Sequence, residues 1–197
     1  MLDLIRTKLR ELPAEHHQPE HRENLREAAV LLAVTRADEP SVVFIKRAEH
    51  LNSHSGQVAF PGGMWEPGDK SLLHTALRES EEEIALPPGK VDVIATLPTR
   101  STIFGVRVIP YVGLIPAGLD FVPEPGELDA VFEVPLSYLG DPGNLTRTRF
   151  EMRGGEFDVP CYLYKGFCIW GFTLGVLAEF LDHCLDVSLD LQYRQCG

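Results

Sequence analysis

The sequence is most informative at Arg78-Glu79-Ser80-Glu81-Glu82-Glu83, downstream of the glycine step Phe60-Pro61-Gly62-Gly63. Acidic side chains one turn apart on a helix repel each other by about 0.2–0.5 kcal/mol per pair, so this cluster is costly without cations. At about 100° per residue, Glu79, Glu82 and Glu83 share one helix face. Carboxylate oxygens arranged in such a stripe are typical ligands of Mg²⁺ or Mn²⁺. A solvated acidic helix face is the alternative interpretation of an isolated run of glutamates.

Length and composition indicate one globular domain over residues 1–197. Hydrophobic residues make up 44% of the chain, yet no apolar run reaches the length of a membrane span, so we expect no membrane partner. Residues 1–6 mix charges and lack the basic-then-apolar order of a secretory signal, and residues 194–197 are not a Ser-Lys-Leu type ending. We therefore expect a cytoplasmic protein, and reduced thiols at its four cysteines, which lack zinc-site spacing.

The charge balance constrains the partners. A formal net charge of −11 argues against nucleic acid, because binding a polyanion requires a basic surface. A phosphate-bearing small molecule remains compatible with an acidic protein when a divalent cation bridges protein carboxylates to the phosphate oxygens.

The chain divides into an N-terminal helix and linker over residues 1–27 and a core over residues 28–185. Apolar residues at helical spacing predict a helix over residues 1–12, ended by Pro13. The polar linker carries three histidines, which we interpret as loop residues rather than metal ligands: His16, His17 and His21.

Within the core, runs of β-branched and aliphatic residues predict strands. These strands cover residues 28–34, 41–47, 91–97, 106–115 and 131–134, and residues 146–164 fit a hairpin turning at Gly154-Gly155. The first two strands are expected to pair antiparallel, and residues 51–70 to form an irregular segment. The acidic cluster lies on a helix capped by Asp69 or Ser71, and the last helix spans residues 171–184 with an apolar stripe for core packing.

The residues around the acidic cluster resemble the Nudix box, whose usual form is G-x5-E-x7-R-E-U-x-E-E-x-G-U with U aliphatic. The matching run is Gly63-x5-Asp69-x8-Arg78-Glu79-Ser80-Glu81-Glu82-Glu83-Ile84-Ala85-Leu86. It departs from the box at Asp69, at one extra residue before Arg78, at Ser80 and at Ala85. The first two departures are similar to variants of the Nudix subfamily that hydrolyses coenzyme A.

A second motif upstream resembles the coenzyme A pyrophosphatase signature, L-L-T-x-R-[SA]-x3-R-x3-G-x3-F-P-G-G. In register with it are Arg47, Ala48, Gly56 and Phe60-Pro61-Gly62-Gly63. Val43-Phe44-Ile45 replaces Leu-Leu-Thr, and Asn52 replaces an Arg, so one cationic contact is missing. The resemblance covers roughly residues 28–185.

The resemblance implies an α+β fold, a Nudix-type α/β/α sandwich with a mixed central β-sheet and the Nudix loop-helix-loop. It implies one or more Mg²⁺ or Mn²⁺ ions held by Glu79, Glu82, Glu83 and the backbone carbonyl of Gly63. Arg78 is expected to orient an acid, since its side chain can reach Glu82 one turn on. The expected substrate contacts are Lys46, Arg47, Gly56, Phe60 and Gly62, with ordinary strand-end charge as the alternative for Lys46 and Arg47.

The implied reaction is hydrolysis of the pyrophosphate bond of coenzyme A to 4′-phosphopantetheine and adenosine 3′,5′-bisphosphate. The general base stays open between Glu82, placed slightly ahead, and Glu127 or Glu124 in the loop before the strand at 131–134. Two alternatives remain: a Nudix hydrolase of another nucleoside diphosphate derivative such as ADP-ribose or NADH, and a non-catalytic nucleotide-binding Nudix sensor. The sequence leaves open the number of metal ions, the oligomeric state and the form of coenzyme A preferred.

Two further residues carry expectations. If Ala85 ends its helix in a left-handed conformation, alanine costs on the order of 1 kcal/mol relative to glycine. Trp170 could stack on an adenine ring, but a buried core aromatic is the expected role.

Overall fold

The structure is a computed structural model that describes residues 1–12, 19, 26–152 and 154–196. The helices are α1 (Leu2–Leu9), α2 (Leu72–Ile84), α3 (Leu136–Leu139) and α4 (Gly171–Leu185). The strands are β1 (Arg26–Arg36), β2 (Ser41–Arg47), β3 (Val58–Ala59), β4 (Gly62–Met64), β5 (Asp92–Thr96), β6 (Arg100–Ser101), β7 (Val106–Pro116), β8 (Leu128–Pro135), β9 (Leu145–Met152), β10 (Gly155–Tyr164), β11 (Phe167–Ile169) and β12 (Arg194–Gln195).

A mixed central sheet of eight strands organises the molecule. β1 and β7 run parallel along their whole length, from the pair Arg26 and Val106 to the pair Arg36 and Pro116. The remaining pairings in this sheet are antiparallel: β2 with β1, β3 and β8, β4 with β1, and β5 and β6 with β7. The antiparallel pairing of β1 and β2, which the sequence predicts, is confirmed.

The glycine step occupies a gap between β1 and β2. These strands pair directly at Val34 and Val42, and farther along β2 pairs with β3 while β1 pairs with β4. Because β7 and β8 take the outer edges of β1 and β2, residues 58–64 lie between the two strands. The prediction of a wholly irregular segment over 51–70 is wrong here, because the short strands form only where β1 and β2 separate.

Two apolar layers cover the two faces of this sheet. One cluster packs α2 against it through Leu72, Ala76 and Ile84. On the other face, α1 and α4 pack through residues that include Leu9, Leu177 and Leu181. Helices on both faces of a mixed sheet confirm the predicted α+β sandwich, and the apolar stripe of α4 packs in the core as expected.

A second, smaller antiparallel sheet is built on β10. β9 pairs along one edge of β10, and β11 and β12 pair along the other. Its Tyr162 and Ile169 join the α4-side core, so this sheet extends that face of the molecule. The hairpin predicted over 146–164 corresponds to β9 and β10.

At the N-terminus α1 ends at Leu9, and Ile5 and Leu9 are fully buried, as a docking helix requires. The predicted helix end at Pro13 and the three linker histidines fall outside the described residues. No helix in the described part of the chain combines the length and the apolar character needed to cross a membrane.

Candidate active site

Helix α2 presents the acidic cluster, and its two ends are well defined. Ser71 caps the start, since its side chain accepts a hydrogen bond from the His74 backbone N–H at 3.1 Å. Ala85 ends the helix in the left-handed conformation, with φ 55° and ψ 34°, and its N–H donates to the Glu81 carbonyl. The left-handed end that the sequence left open is therefore present, with alanine at a position that favours glycine.

The two consecutive glycines are required for different reasons. Gly62 has φ +145°, and a Cβ there would lie 2.6 Å from Val30 Cα on the adjacent strand β1. A Cβ on Gly63 would overlap the carboxyl group of Glu79. The first glycine lets the chain fit beside β1, and the second brings the backbone against an acid of α2.

Glu83 is the most deeply placed acid of the cluster, with a side chain only 3% exposed. Its Oε2 accepts a hydrogen bond from the Gly62 N–H at 2.9 Å, and its Oε1 lies 3.7 Å from Arg47 Nη1. Burial raises the pKa of Glu83 to about 8, and the charges of Glu79 and Glu127 add to the rise against the opposing effects of Gly62 and Arg47. The positive charge and hydrogen bonds around this carboxylate therefore do not offset its burial and its acidic neighbours.

Glu79 is half-buried one turn before Glu83. Burial raises its pKa, and the nearby charges of Glu82 and Glu127 act in the same direction, opposed by Arg78. Glu127 thus lies close enough to influence both Glu79 and Glu83. Glu79 and Glu83 lie against the Gly62-Gly63 backbone, and the charge of Glu127 acts on both.

Arg78 holds two acids of the cluster in place. Its Nη2 lies 3.0 Å from Glu79 Oε1, and its Nη1 donates to Glu82 Oε2 at 2.9 Å, as the helical spacing predicts. Its Nε donates to Asp69 Oδ1 at 2.9 Å. The Glu82 side chain is 60% exposed, so this acid lies on the outer side of Arg78, away from the buried Glu83.

Asp69 anchors that arginine from the start of α2. Its side chain is 2% exposed and also accepts hydrogen bonds from His74 Nδ1 at 2.9 Å and Thr75 Oγ1 at 2.8 Å. Burial alone would raise the pKa of Asp69, but the bonds from Arg78, His74 and Thr75 outweigh it and hold the pKa well below its usual range. Of the two predicted caps, Ser71 takes the role and Asp69 is committed to Arg78.

The loop before β8 is fixed on the end of α2. The Glu124 N–H donates to the Glu83 carbonyl at 2.9 Å, and the Val122 N–H donates to the Ile84 carbonyl at 3.2 Å. The Glu127 carbonyl accepts from the Ala48 N–H at 2.8 Å, which ties the loop to the end of β2. Glu124 turns its own carboxylate back to the Gly126 N–H, so Glu127 is the acid of this loop that influences the site.

The two basic residues at the end of β2 face opposite sides of the sheet. Arg47 approaches Glu83 on the α2 side, and its buried Nε has no hydrogen-bond partner among the described residues. Lys46 pairs with Glu49 at 2.8 Å and Asp129 at 3.3 Å, and it lines a cavity of about 300 Å³ on the α4 side.

Two further predicted contacts, Gly56 and Phe60, both lie on the α4 side of the sheet. Gly56 lines the α4-side cavity with Lys46, whereas Phe60 is 3% exposed and stacks on Phe44 in the core. Trp170 is not fully buried: it stacks on Phe150 and lines the cavity, so the expectation of a buried core role is wrong. It lies at the turn from β11 into α4.

Sequence reasoning missed the partners of Asp69. His74 and Thr75 complete the set of donors around that carboxylate, and their spacing from Asp69 carries no recognisable signal because it depends on how the chain enters α2. The aromatic wall of Phe150 and Trp170 was also missed as a pair, because it joins β9 to the chain before α4.

The acids fit a hard divalent cation by their chemistry. Glu79 and Glu83 both have raised pKa values, which a bound cation would reverse, and the Gly62-Gly63 backbone lies against them. In the described ranges, no three acidic, histidine or cysteine side chains already lie at metal-binding distances from one another. Closure around an ion would therefore involve side-chain rotation.

Comparison with known proteins agrees with this geometry. The family model described as NUDIX domain matches residues 25–152, more than half of the chain. Proteins named uncharacterized Nudix hydrolase NudL are 42% identical in Cronobacter sakazakii and 40% identical in Escherichia coli, each over 156 residues, which are 79% of this chain and 81% of the relative. A MutT/nudix family protein from Enterococcus faecalis superposes with a TM-score of 0.55 at 14% identity, over 94% of this chain and 74% of that structure, which shows a shared fold.

Proposed function

This chain belongs to the Nudix hydrolase family, and from that premise we propose that it hydrolyses the diphosphate bond of coenzyme A. The products would be 4′-phosphopantetheine and adenosine 3′,5′-bisphosphate. We also propose that the chain forms one Nudix domain, with its core over residues 28–185, and that it acts in the cytoplasm.

The position of Arg47 is the main support for coenzyme A as the substrate. It belongs to the segment that resembles the coenzyme A pyrophosphatase signature, and its guanidinium lies 3.7 Å from the buried Glu83. Its side chain is 26% exposed, so the planar guanidinium can meet a phosphate oxygen, and its buried Nε lacks a hydrogen-bond partner within the described residues. A nearby phosphate would supply the acceptor that the protein does not.

Nudix hydrolases generally use divalent metal ions, and here we propose Mg²⁺ or Mn²⁺. Glu79, Glu83, Glu82 and the Gly63 carbonyl would hold the ion or ions. When bound, such a cation neutralises the diphosphate and lowers the pKa of water.

The protein's own groups supply position and a proton acceptor. Asp69 fixes Arg78, which in turn orients Glu79 and Glu82. Arg47 would hold a phosphate oxygen in line for attack by water.

Glu127 is the proposed general base. Its charge influences both Glu79 and Glu83, whereas the Glu82 carboxylate is held by Arg78 on the exposed side. This reverses the order that the sequence favours. Turnover of Glu127→Gln and Glu82→Gln at saturating metal ranks the two, and a rate for Glu127→Gln close to that of the unmodified protein would remove it from the role.

A substrate panel tests the proposal. The protein is incubated with coenzyme A, dephospho-coenzyme A, ADP-ribose and NADH in Mg²⁺ and in Mn²⁺, and both products of each reaction are identified. We expect the highest kcat/KM for coenzyme A, and for Arg47→Gln a larger loss on that substrate than for the matched variant Arg36→Gln, which lies at the other end of β1 and β2. Faster cleavage of ADP-ribose or NADH would overturn the coenzyme A assignment within the family. Nucleotide binding without hydrolysis of any diphosphate would instead support the sensor alternative.

A further inference from the structure

The α4-side cavity at the end of β2 lies outside the acidic site. Its volume is about 300 Å³, at the lower end of the range for small-molecule sites, and its walls include Lys46, Gln57, Val58, Phe150, Phe167 and Trp170. It joins the central sheet to the second sheet, since Val58 belongs to β3, Phe150 to β9 and Phe167 to β11.

Three of these wall residues are aromatic and already arranged in stacks. Phe150 and Trp170 lie with ring centroids 4.2 Å apart and planes inclined by 23°, and Phe167 stacks on Phe132 at 3.8 Å and 7°. A planar ligand ring can continue such a stack, and a stacked nucleobase typically gains about 1–3 kcal/mol. The side-chain amide of Gln57 and the ammonium of Lys46 add polar groups at the same wall.

The cavity also lies close to the acidic site. Lys46 and Arg47 are consecutive residues, so their Cα atoms are about 3.8 Å apart, and Arg47 reaches Glu83 on the other face. The backbone N–H of Arg47, the proposed phosphate-binding residue, donates to the Gln57 carbonyl at 3.0 Å. One hydrogen bond therefore joins Arg47 to the cavity wall. Because Arg47 and the cavity lie on opposite faces of the sheet, a nucleotide whose diphosphate lies at Arg47 would reach the cavity with its base around the end of β2.

We propose that this cavity binds the nucleobase of the substrate. The proposal rests on the proposed function for the identity of the nucleotide, but the chemistry it uses is only that of a planar heteroaromatic ring between aromatic side chains. The flexible pantetheine arm is the competing occupant. It would lose the freedom of several rotatable bonds on entering and gain no stacking, so the aromatic walls favour the base.

Trp170 supplies a direct readout, because the chain has only two tryptophans. In Trp65→Phe, emission comes from Trp170 alone. We expect saturable quenching by adenosine 3′,5′-bisphosphate and none by 4′-phosphopantetheine, both measured without metal, so that hydrolysis plays no part. Quenching by 4′-phosphopantetheine and not by the bisphosphate would overturn the proposal.

A matched pair of variants locates the binding. Phe150→Leu should weaken affinity for adenosine 3′,5′-bisphosphate by roughly 5- to 100-fold, as expected for loss of one base stack. Phe121→Leu, the same change on the α2 side of the sheet, should leave that affinity unchanged. Equal affinities for all three proteins would overturn the assignment.

Calorimetry on the unmodified protein and on both leucine variants gives these affinities without relying on Trp65→Phe folding correctly. Failure of the two proposals can be told apart. Quenching without coenzyme A hydrolysis removes the proposed substrate and keeps the base site, whereas hydrolysis with an unchanged KM in Phe150→Leu keeps the substrate and removes the base site.

Discussion

Two buried carboxylates, one just before α2 and one in its last turn, have opposite electrostatic environments. Asp69 and Glu83 have side chains that are 2% and 3% exposed. Asp69 accepts hydrogen bonds from Arg78, His74 and Thr75, and its pKa is held low. Glu83 accepts one backbone hydrogen bond and lies 3.7 Å from Arg47, and its pKa is raised to about 8.

The difference shows which buried carboxylate is compensated by the protein's own hydrogen-bond donors and cation, and which is not. Around Asp69 the fold supplies the cation and the donors, so this carboxylate stabilises the start of α2 and the position of Arg78. Around Glu83 the fold supplies burial and further acids, an arrangement that costs stability unless a cation arrives from solution. Structural and functional carboxylates can therefore be separated by asking where each one's positive charge comes from.

The largest expected effect is on activity in Glu83→Gln. Removing one proposed metal ligand should lower metal-saturated turnover by roughly 10³-fold, because a bound cation contributes several kcal/mol of charge stabilisation. The same change should leave the unfolding free energy of the metal-free protein unchanged or higher at pH 9, since it removes an uncompensated buried charge. Steady-state kinetics and urea denaturation with a chelator measure the two quantities.

Glu81→Gln is the matched control for this prediction. Glu81 is exposed on the same helix, so its amide variant should keep near-normal turnover. If Glu83→Gln turned over substrate as fast as Glu81→Gln, the hypothesis that Glu83 is a metal ligand needed for turnover would be wrong.

Asp69→Asn should show the reverse balance. Breaking its pairing with Arg78 should lower the unfolding free energy by about 3 kcal/mol, and turnover should fall by roughly 10- to 100-fold because Arg78 no longer holds Glu79 and Glu82. Urea denaturation and steady-state kinetics measure both losses. Asp38→Asn, at an exposed turn, is the control and should change neither by much. Unaltered stability in Asp69→Asn would contradict a structural role for that carboxylate.

The pH dependence of stability should have opposite signs for Glu83 and Asp69. Glu83 has a folded-state pKa of about 8, above its ordinary value of 4.5, so between these values the folded state holds a proton that the unfolded state has lost. Stability of the metal-free protein should therefore fall from pH 4.5 to pH 8, by on the order of 5 kcal/mol. Asp69 has the opposite sign, since its depressed pKa gives stability present above its ordinary 3.8 and lost as the pH falls below it.

Urea denaturation across pH 3 to 9 measures both slopes. Adding Mg²⁺ or substituting Glu83→Gln should remove the fall at neutral pH and leave the acid limb in place. A slope near pH 6 that persists in Glu83→Gln would assign it to another group.

The fold was predictable where one local signal sufficed. Helical spacing placed Glu82 within reach of Arg78, the aliphatic runs located β1 and β2, and the apolar stripe of α4 predicted its packing. The short strands β3 and β4 were not predictable in the same way. Val58–Ala59 and Gly62–Met64 have no strand pattern of their own and pair only because β1 and β2 separate.

The sequence predicted which acids form the candidate site, but not how deeply each one is buried or which charges surround it. Sequence spacing treats Glu79, Glu82 and Glu83 alike, whereas burial distinguishes Glu83 from the exposed Glu82. That distinction depends on Gly62 and on the loop before β8, which reach α2 from distant parts of the chain. For the same reason, the influence of Glu127 could be proposed from the sequence but not ranked.

The smallest expected effect concerns the helix end two residues after Glu83. Ala85→Gly should raise the unfolding free energy by about 0.5–1 kcal/mol, because φ 55° strains alanine and not glycine. Glu81→Gly, within the helix, should lower it by a similar amount, so introducing glycine has opposite effects on stability at two positions four residues apart. Turnover should be unchanged in Ala85→Gly, since the backbone that holds Glu83 keeps its geometry. Urea denaturation of the two variants checks the signs, and destabilisation by glycine at both positions would mean that α2 does not end in a left-handed residue in solution.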